Sequence, residues 1–249
     1  MINLNNPKRL TEDIVLYENF LTAEDAKKII EIMEKQAESN KLTWTPISFY
    51  ESYSSVLPQD NDPEILEAGL DPEIFSKIKS GIIDGIASIH GLDPKTIVQI
   101  GYHTQKWEPG AYARLHSDNT DEHGNSGPFE RSRYAAFLYL NEDFEGGLLR
   151  FPSHDIEIKP QVGMLAVFAG GHKNMHEVTL IQNGIRHTLG SFWDDREESA
   201  YPEELRAQWK EEMQKIRDMQ KIEKEQWQEI LKEGYKIDKD GNRYKIEEL

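Results

Sequence analysis

From Thr96 to Trp193 the sequence is a series of short β-type runs, each the length of a single strand. The runs are Thr96 to Gly101, Tyr134 to Leu140, Leu148 to Phe151, Ile156 to Ile158, Met164 to Phe168, Glu177 to Ile181 and His187 to Trp193. Turn signals such as Glu145-Gly146-Gly147 and Gln182-Asn183-Gly184 separate them. Strands this short bury their apolar faces by stacking into a sandwich or closing into a barrel.

The flanks read differently. Asp13 to Tyr17 alternates like a strand. Thr22-Ala23-Glu24-Asp25 carries a hydroxyl N-cap and a carboxylate three positions on, predicting a helix that ends near Ser39. A less regular stretch follows to about residue 62. Ile74, Phe75, Ile78, Ile82, Ile83, Ile86 and Ile89 then give an apolar helical face, with Gly91 placed as its C-terminal cap. Beyond Asp195 the chain turns charged. Tyr201-Pro202 opens a predicted helix whose stripe is Trp209, Met213, Ile216, Met219, Trp227, Ile230 and Leu231. That helix packs on the domain or serves a homodimer. Tyr235 to Ile246 reads as a hairpin around Asp240-Gly241. The organisation expected is therefore α+β, in three parts: helices and a strand over 1–95, a β core over 96–195, and a helix with a hairpin over 196–249.

Composition excludes several chemistries. The 249 residues contain no cysteine, so disulfides, thiolate metal sites and cysteine nucleophiles are absent. The formal net charge is −16, a field that opposes contact with phosphate backbones or anionic lipid. No nucleic-acid partner is expected. Neither a membrane span nor a secretory leader is read in the sequence, and a cytoplasmic location is the expectation.

One short constellation carries chemistry. In an extended segment, His116 and Asp118 project to one face and can reach one ion. A third ligand is needed, because two imidazoles and a carboxylate leave open coordination positions suited to non-haem Fe(II). Of the eight histidines, the downstream candidates are His123, His154, His172, His176 and His187. His123 lies in a polar loop and His172 in a glycine turn. His154 starts a strand without a nameable partner. His176 opens a strand after the apolar run ending at Phe168. Arg186 follows ten residues later and opens the next strand, a spacing that brings a guanidinium towards the ion. There it would hold the far end of a dicarboxylate in a bidentate fork.

The stretch from about residue 98 to 194 resembles the prolyl 4-hydroxylase-like branch of the 2-oxoglutarate/Fe(II)-dependent dioxygenases. The matching pieces are Glu108 to Asp118, Tyr139-Leu140-Asn141, Gly146 to Pro152, Lys159 to Gly163, and His176 with Arg186, in that order. The resemblance implies a double-stranded β-helix (jelly roll) preceded by helices. It implies His116, Asp118 and His176 as iron ligands, with Arg186 and Tyr139 on the C5 carboxylate of 2-oxoglutarate and Tyr112 near that cosubstrate. The cofactors implied are Fe(II), 2-oxoglutarate, dioxygen and ascorbate. The activity implied is hydroxylation of a C–H bond, coupled to decarboxylation of 2-oxoglutarate to succinate. The carboxylate of Asp118 fills the position that halide takes in related halogenases, so hydroxylation is favoured. Two positions depart from the pattern: Trp107 stands where tyrosine is frequent, and Tyr134 where threonine is common.

A prolyl residue in a peptide or protein is the expected substrate, ahead of a free amino acid or another small metabolite. The rival outside this class is a cupin-like metal-binding barrel without oxygenase activity. The polar segment 119–133 is expected to form a loop over the site. Lys236 to Glu247 mimics a calcium loop, but lysine occupies its first ligand position.

Overall fold

A computed structural model describes residues 7–38, 45–47, 52–56, 72–121, 123–126, 129–195, 235–237 and 243–245. The chain divides into two compact units, Met1–Arg196 and Glu197–Leu249.

In the first unit, strands β1 (Lys8–Arg9) and β2 (Ile14–Tyr17) precede helix α1 (Ala23–Glu38). Strands β3 (Thr45–Ile47) and β4 (Ser52–Val56) precede helix α2 (Pro72–His90). Ten strands follow: β5 (Val98–Trp107), β6 (Ala113–His116), β7 (Tyr134–Tyr139), β8 (Glu145–Gly146), β9 (Leu149–Phe151), β10 (Ile156–Ile158), β11 (Leu165–Ala169), β12 (His176–Val178), β13 (Ile181–Asn183) and β14 (Arg186–Asp194). The main sheet runs β1-β2-β11-β7-β14-β5-β4-β3, and a second sheet runs β10-β9-β12-β6.

Period-two alternation divides the residues of the main sheet between two cores. Val15, Tyr17, Ala136, Leu138, Leu165, Val167, Leu189 and Trp193 face the helices, where Ile29, Met33, Ile78, Ile82 and Ile86 meet them. Ile14, Leu16, Ala135, Tyr139, Ala166 and Phe168 face the other way, against Leu149, Phe151 and Ile158 of the second sheet. The Phe151 ring meets the Phe168 ring edge-on at 5.0 Å. Two sheets packed face to face, with helices outside the larger one, agree with a jelly-roll core.

Both helix ends behave as their sequence predicts. The Asp25 amide donates to Thr22 Oγ1 at 3.1 Å, and the Thr22 hydroxyl donates to Asp25 Oδ2 at 2.8 Å. Gly91 has φ 65°, and the Leu92 amide reaches back to the Ala87 carbonyl at 3.0 Å. That left-handed turn closes α2, and glycine adopts it without steric cost.

Several elements differ from the sequence expectation. The run from Thr96 starts later and extends further, as the ten-residue β5. Polar residues such as Thr104 and Gln105 hid this extension, because they are buried only through tertiary partners. The run Glu177 to Ile181 is two strands, since β12 pairs with β6 and β9 whereas β13 pairs with β8. The irregular stretch before residue 62 contains β3 and β4, which join the main sheet through β5.

In the second unit, Tyr235–Ile237 and Arg243–Lys245 pair antiparallel, as the hairpin reading expected. The helix expected from Tyr201 lies outside the described residues. Among the described residues, no helix is long and apolar enough to cross a membrane.

Candidate metal centre

Strands β6 and β12 lie side by side, with His116 directly opposite His176. Asp118 sits two residues past His116, where its amide donates to the Gly170 carbonyl at 2.9 Å. The result brings one ligand atom from each of His116, Asp118 and His176 within 4.8 Å of one another. Asp118 Oδ1 is 3.8 Å from His116 Nε2 and 3.7 Å from His176 Nε2.

Backbone carbonyls settle which imidazole nitrogens carry the proton. His116 Nδ1 lies 2.6 Å from the Arg114 carbonyl, and His176 Nδ1 lies 3.1 Å from the Asn174 carbonyl. A carbonyl only accepts, so each Nδ1 carries the proton and each Nε2 presents a lone pair. Burial lowers the pKa of both rings, with the nearby His116 lowering that of His176 further, so both are neutral near pH 7. Burial raises the Asp118 carboxyl to about 8, and its Oδ2 is buried without a hydrogen-bond partner. Two neutral imidazoles beside a desolvated carboxyl lack the cation that would stabilise the carboxylate. Two imidazole nitrogens and a carboxylate oxygen are a donor set that fits a divalent metal.

Phe151 and Phe168 pack on the His176 ring at 5.6 and 4.7 Å. The same interior cluster includes Tyr139. The Arg186 guanidinium lies 5.2 Å from the Tyr139 ring centre and 5.0 Å from that of Trp107. Arg186 is 2% exposed, and its Nε and Nη1 have no hydrogen-bond partner; neither has the Tyr139 hydroxyl. An unsatisfied buried donor costs about 1–3 kcal/mol, and more when charged. Three together in one apolar interior form a cradle suited to a carboxylate.

The remaining candidates lie elsewhere. His123 is exposed. His154 falls in a 3₁₀ turn, not at a strand start, and finds a partner in Asn174 Oδ1 at 2.9 Å. His172 packs beside Gly124. His187 faces α1, where its Nε2 lies 3.0 Å from Glu34 Oε1. Tyr112 is half-buried in the link before β6. Two contributors went unread in the sequence: Asn174, whose carbonyl orients His176, and Trp107 as a platform for Arg186. The Arg186↔Trp107 strand pairing carries the second, and it crosses about eighty residues of sequence that no local pattern spans.

The loop after Asp118 is closely tied. Ser117 Oγ donates to the Gly170 carbonyl at 2.9 Å, and the Asp121 carboxylate accepts from the amides of His123 and Asn125.

With this geometry, residues 102–193 match the family model described as the 2OG-Fe(II) oxygenase superfamily. The match lies within the β core, from β5 to β14. Prolyl 3-hydroxylase 1 of Gallus gallus is 41% identical over 58 residues, 21% of this chain and 8% of that protein. Prolyl 3-hydroxylase 3 of Homo sapiens is 30% identical over 92 residues, 35% of this chain and 12% of that protein. The match thus spans about a tenth of the length of these relatives. Among solved structures, a prolyl-4-hydroxylase of Pseudomonas putida is similar with a TM-score of 0.52 and 22% identity, covering 75% of this chain and 94% of that one. A prolyl hydroxylase of Trichoplax adhaerens, in complex with a hypoxia inducible factor oxygen degradation domain peptide fragment, gives 0.55 and 17%, covering 74% and 84%. These likenesses concern the fold.

Proposed function

We propose that this chain is a 2-oxoglutarate- and Fe(II)-dependent dioxygenase that hydroxylates a prolyl residue in a peptide or protein. One observation carries the reading: an open His-Asp-His cluster and a buried arginine–tyrosine pair with orphaned donors share one β interior. The arginine gives a reason to prefer it over a cupin-like binding barrel, whose metal needs no such anion cradle. The peptide complex of the Trichoplax adhaerens neighbour supports a peptide as substrate.

In this reading Fe(II) and 2-oxoglutarate, with dioxygen, supply the oxidising equivalent, and succinate and carbon dioxide leave. The protein does the placing. His116 and His176 offer Nε2, and Asp118 offers the charge that holds a divalent ion. Arg186 and Tyr139 would hold the distal carboxylate of the cosubstrate, with the Trp107 ring packed against the guanidinium. Tyr112, four residues before His116, completes the cosubstrate side. Ascorbate serves as accessory cofactor.

The test is succinate release under air with Fe(II) and 2-oxoglutarate, screening proline-rich peptides against free amino acids. Peptide-dependent succinate with a matching gain of one oxygen at proline is the expected result. Asp118→Ala should abolish both. Full turnover in that variant, or turnover without 2-oxoglutarate, would sink the assignment. Free amino acids as sole substrates would transfer the reading to a small-molecule hydroxylase.

A further inference from the structure

One residue outside the cluster of His116, Asp118 and His176 holds a hydrogen bond to the His176 ring. Asn174 is 1% exposed and ends the 3₁₀ turn His172–Asn174, two residues before His176. Its backbone carbonyl accepts a hydrogen bond from His176 Nδ1–H. Its side chain is held from three directions. Nδ2 donates to the Ala169 carbonyl at 3.0 Å and to Asp13 Oδ2 at 3.4 Å, and Oδ1 lies 2.9 Å from His154 Nε2.

The amide can sit only one way round. Flipping it would point Oδ1 at two acceptors, the Ala169 carbonyl and the Asp13 carboxylate. In the orientation found, Oδ1 accepts, so His154 carries its proton on Nε2. Asp13 is itself fixed. Its carbonyl accepts from the Ala169 amide at 3.0 Å, its amide donates to Thr11 Oγ1 at 3.1 Å, and its Oδ1 faces His90 Nε2, at the end of α2, at 3.4 Å. A polar network therefore runs from the start of β2 and the end of α2, through the buried Asn174, to the His176 ring.

We propose that Asn174 is a positioning residue for the metal centre: its pinned amide holds the carbonyl that fixes the tautomer and orientation of His176, with His154 as the outer clamp. The inference rests on the reading of His176 as a metal ligand. Groups that orient a ligating imidazole typically contribute 10- to 100-fold in metal affinity, and Asn174 should fall in that range.

The test is anaerobic Co(II) titration of the full chain, followed by visible absorption, so that the readout is binding rather than turnover. Asn174→Ala should weaken Co(II) binding by about 10- to 100-fold. His154→Leu should weaken it by a smaller factor, and His154→Gln, which restores an N–H donor to Asn174 Oδ1, should recover it. The two His154 variants stand on their own should Asn174→Ala fail to fold. Wild-type affinity in folded Asn174→Ala, or equal affinity in His154→Leu and His154→Gln, overturns the inference. His176→Ala separates the two ideas: if it leaves Co(II) affinity unchanged, the ligand reading falls and the positioning role with it. If it abolishes binding while the Asn174 and His154 variants do not alter it, only the positioning role falls.

Discussion

Asp118 illustrates how one residue can serve function against stability. Its carboxyl titrates at about 8 in the metal-free fold, well above the unfolded value of about 3.9. A carboxyl with a raised folded pKa is easier to ionise once unfolded. Metal-free stability therefore falls as pH rises from about 4 to about 8. Asp118→Asn removes that slope. In chelator, the variant should melt with the wild type near pH 4 and above it at pH 8; parallel curves at both would contradict the burial argument. Metal affinity has the opposite sense. Binding must expel the Asp118 proton, so affinity should climb with pH and level off near 8. Arg186 poses the same trade. Arg186→Met keeps length and bulk but deletes the orphaned cation. It should leave the metal-free melting temperature unchanged or higher. Its affinity for 2-oxoglutarate, titrated with Mn(II) present, should drop about 100-fold or more, as expected when a buried charge pair loses one partner. Unchanged affinity would remove Arg186 from the cosubstrate site.

At the scale of elements, the centre depends on how the turn after β11 passes Asp118. A Cβ on Gly170 would lie 2.6 Å from the Ser132 carbonyl oxygen and 3.1 Å from Asp118 Oδ2. The first contact is backbone and cannot swing aside. Gly170→Ala should therefore destabilise by about 1–3 kcal/mol and displace the carboxylate, weakening Co(II) binding. Gly171→Ala is the internal comparison, since its Cβ would meet only Asn119 Oδ1, at 3.9 Å. Equal melting temperatures and equal Co(II) affinities for the two variants would refute the steric argument. The helices contribute from the other face of the sheet. Glu34 of α1 reaches both His187 and Lys106, tying the helix to β14 and β5 across the layer.

For the whole molecule, the net charge of −16 bears on substrate choice. A field of that sign attracts basic peptides over long range, and salt screens it. The apparent KM for a lysine- and arginine-rich prolyl peptide should rise when salt goes from about 0.05 to about 0.5 M. The KM for a neutral peptide of equal length should stay constant. Equal salt responses would mean that local contacts, not the global field, select the substrate.

Much of this protein was legible in one dimension because the deciding forces there are local. Short apolar runs between turn signals marked Tyr134 to Leu140 and Met164 to Phe168 as strands, close to the observed Tyr134–Tyr139 and Leu165–Ala169. The Thr22 cap and the Gly91 turn follow from bonds spanning three to five residues. His116 and Asp118 share one face by strand geometry, and the absence of cysteine narrowed the ligand types. What the sequence alone could not decide depends on strand pairing between distant segments. Pairing alone sets His176 opposite His116, Trp107 beside Arg186 and β4 against β5. Burial followed from the same packing. It packed the Arg186 guanidinium against the Tyr139 and Trp107 rings and gave Asp118 its raised pKa. Residue types named the candidate ligands, but desolvation by two packed sheets sets their electrostatics, because a charge costs little in water and much inside a closed core.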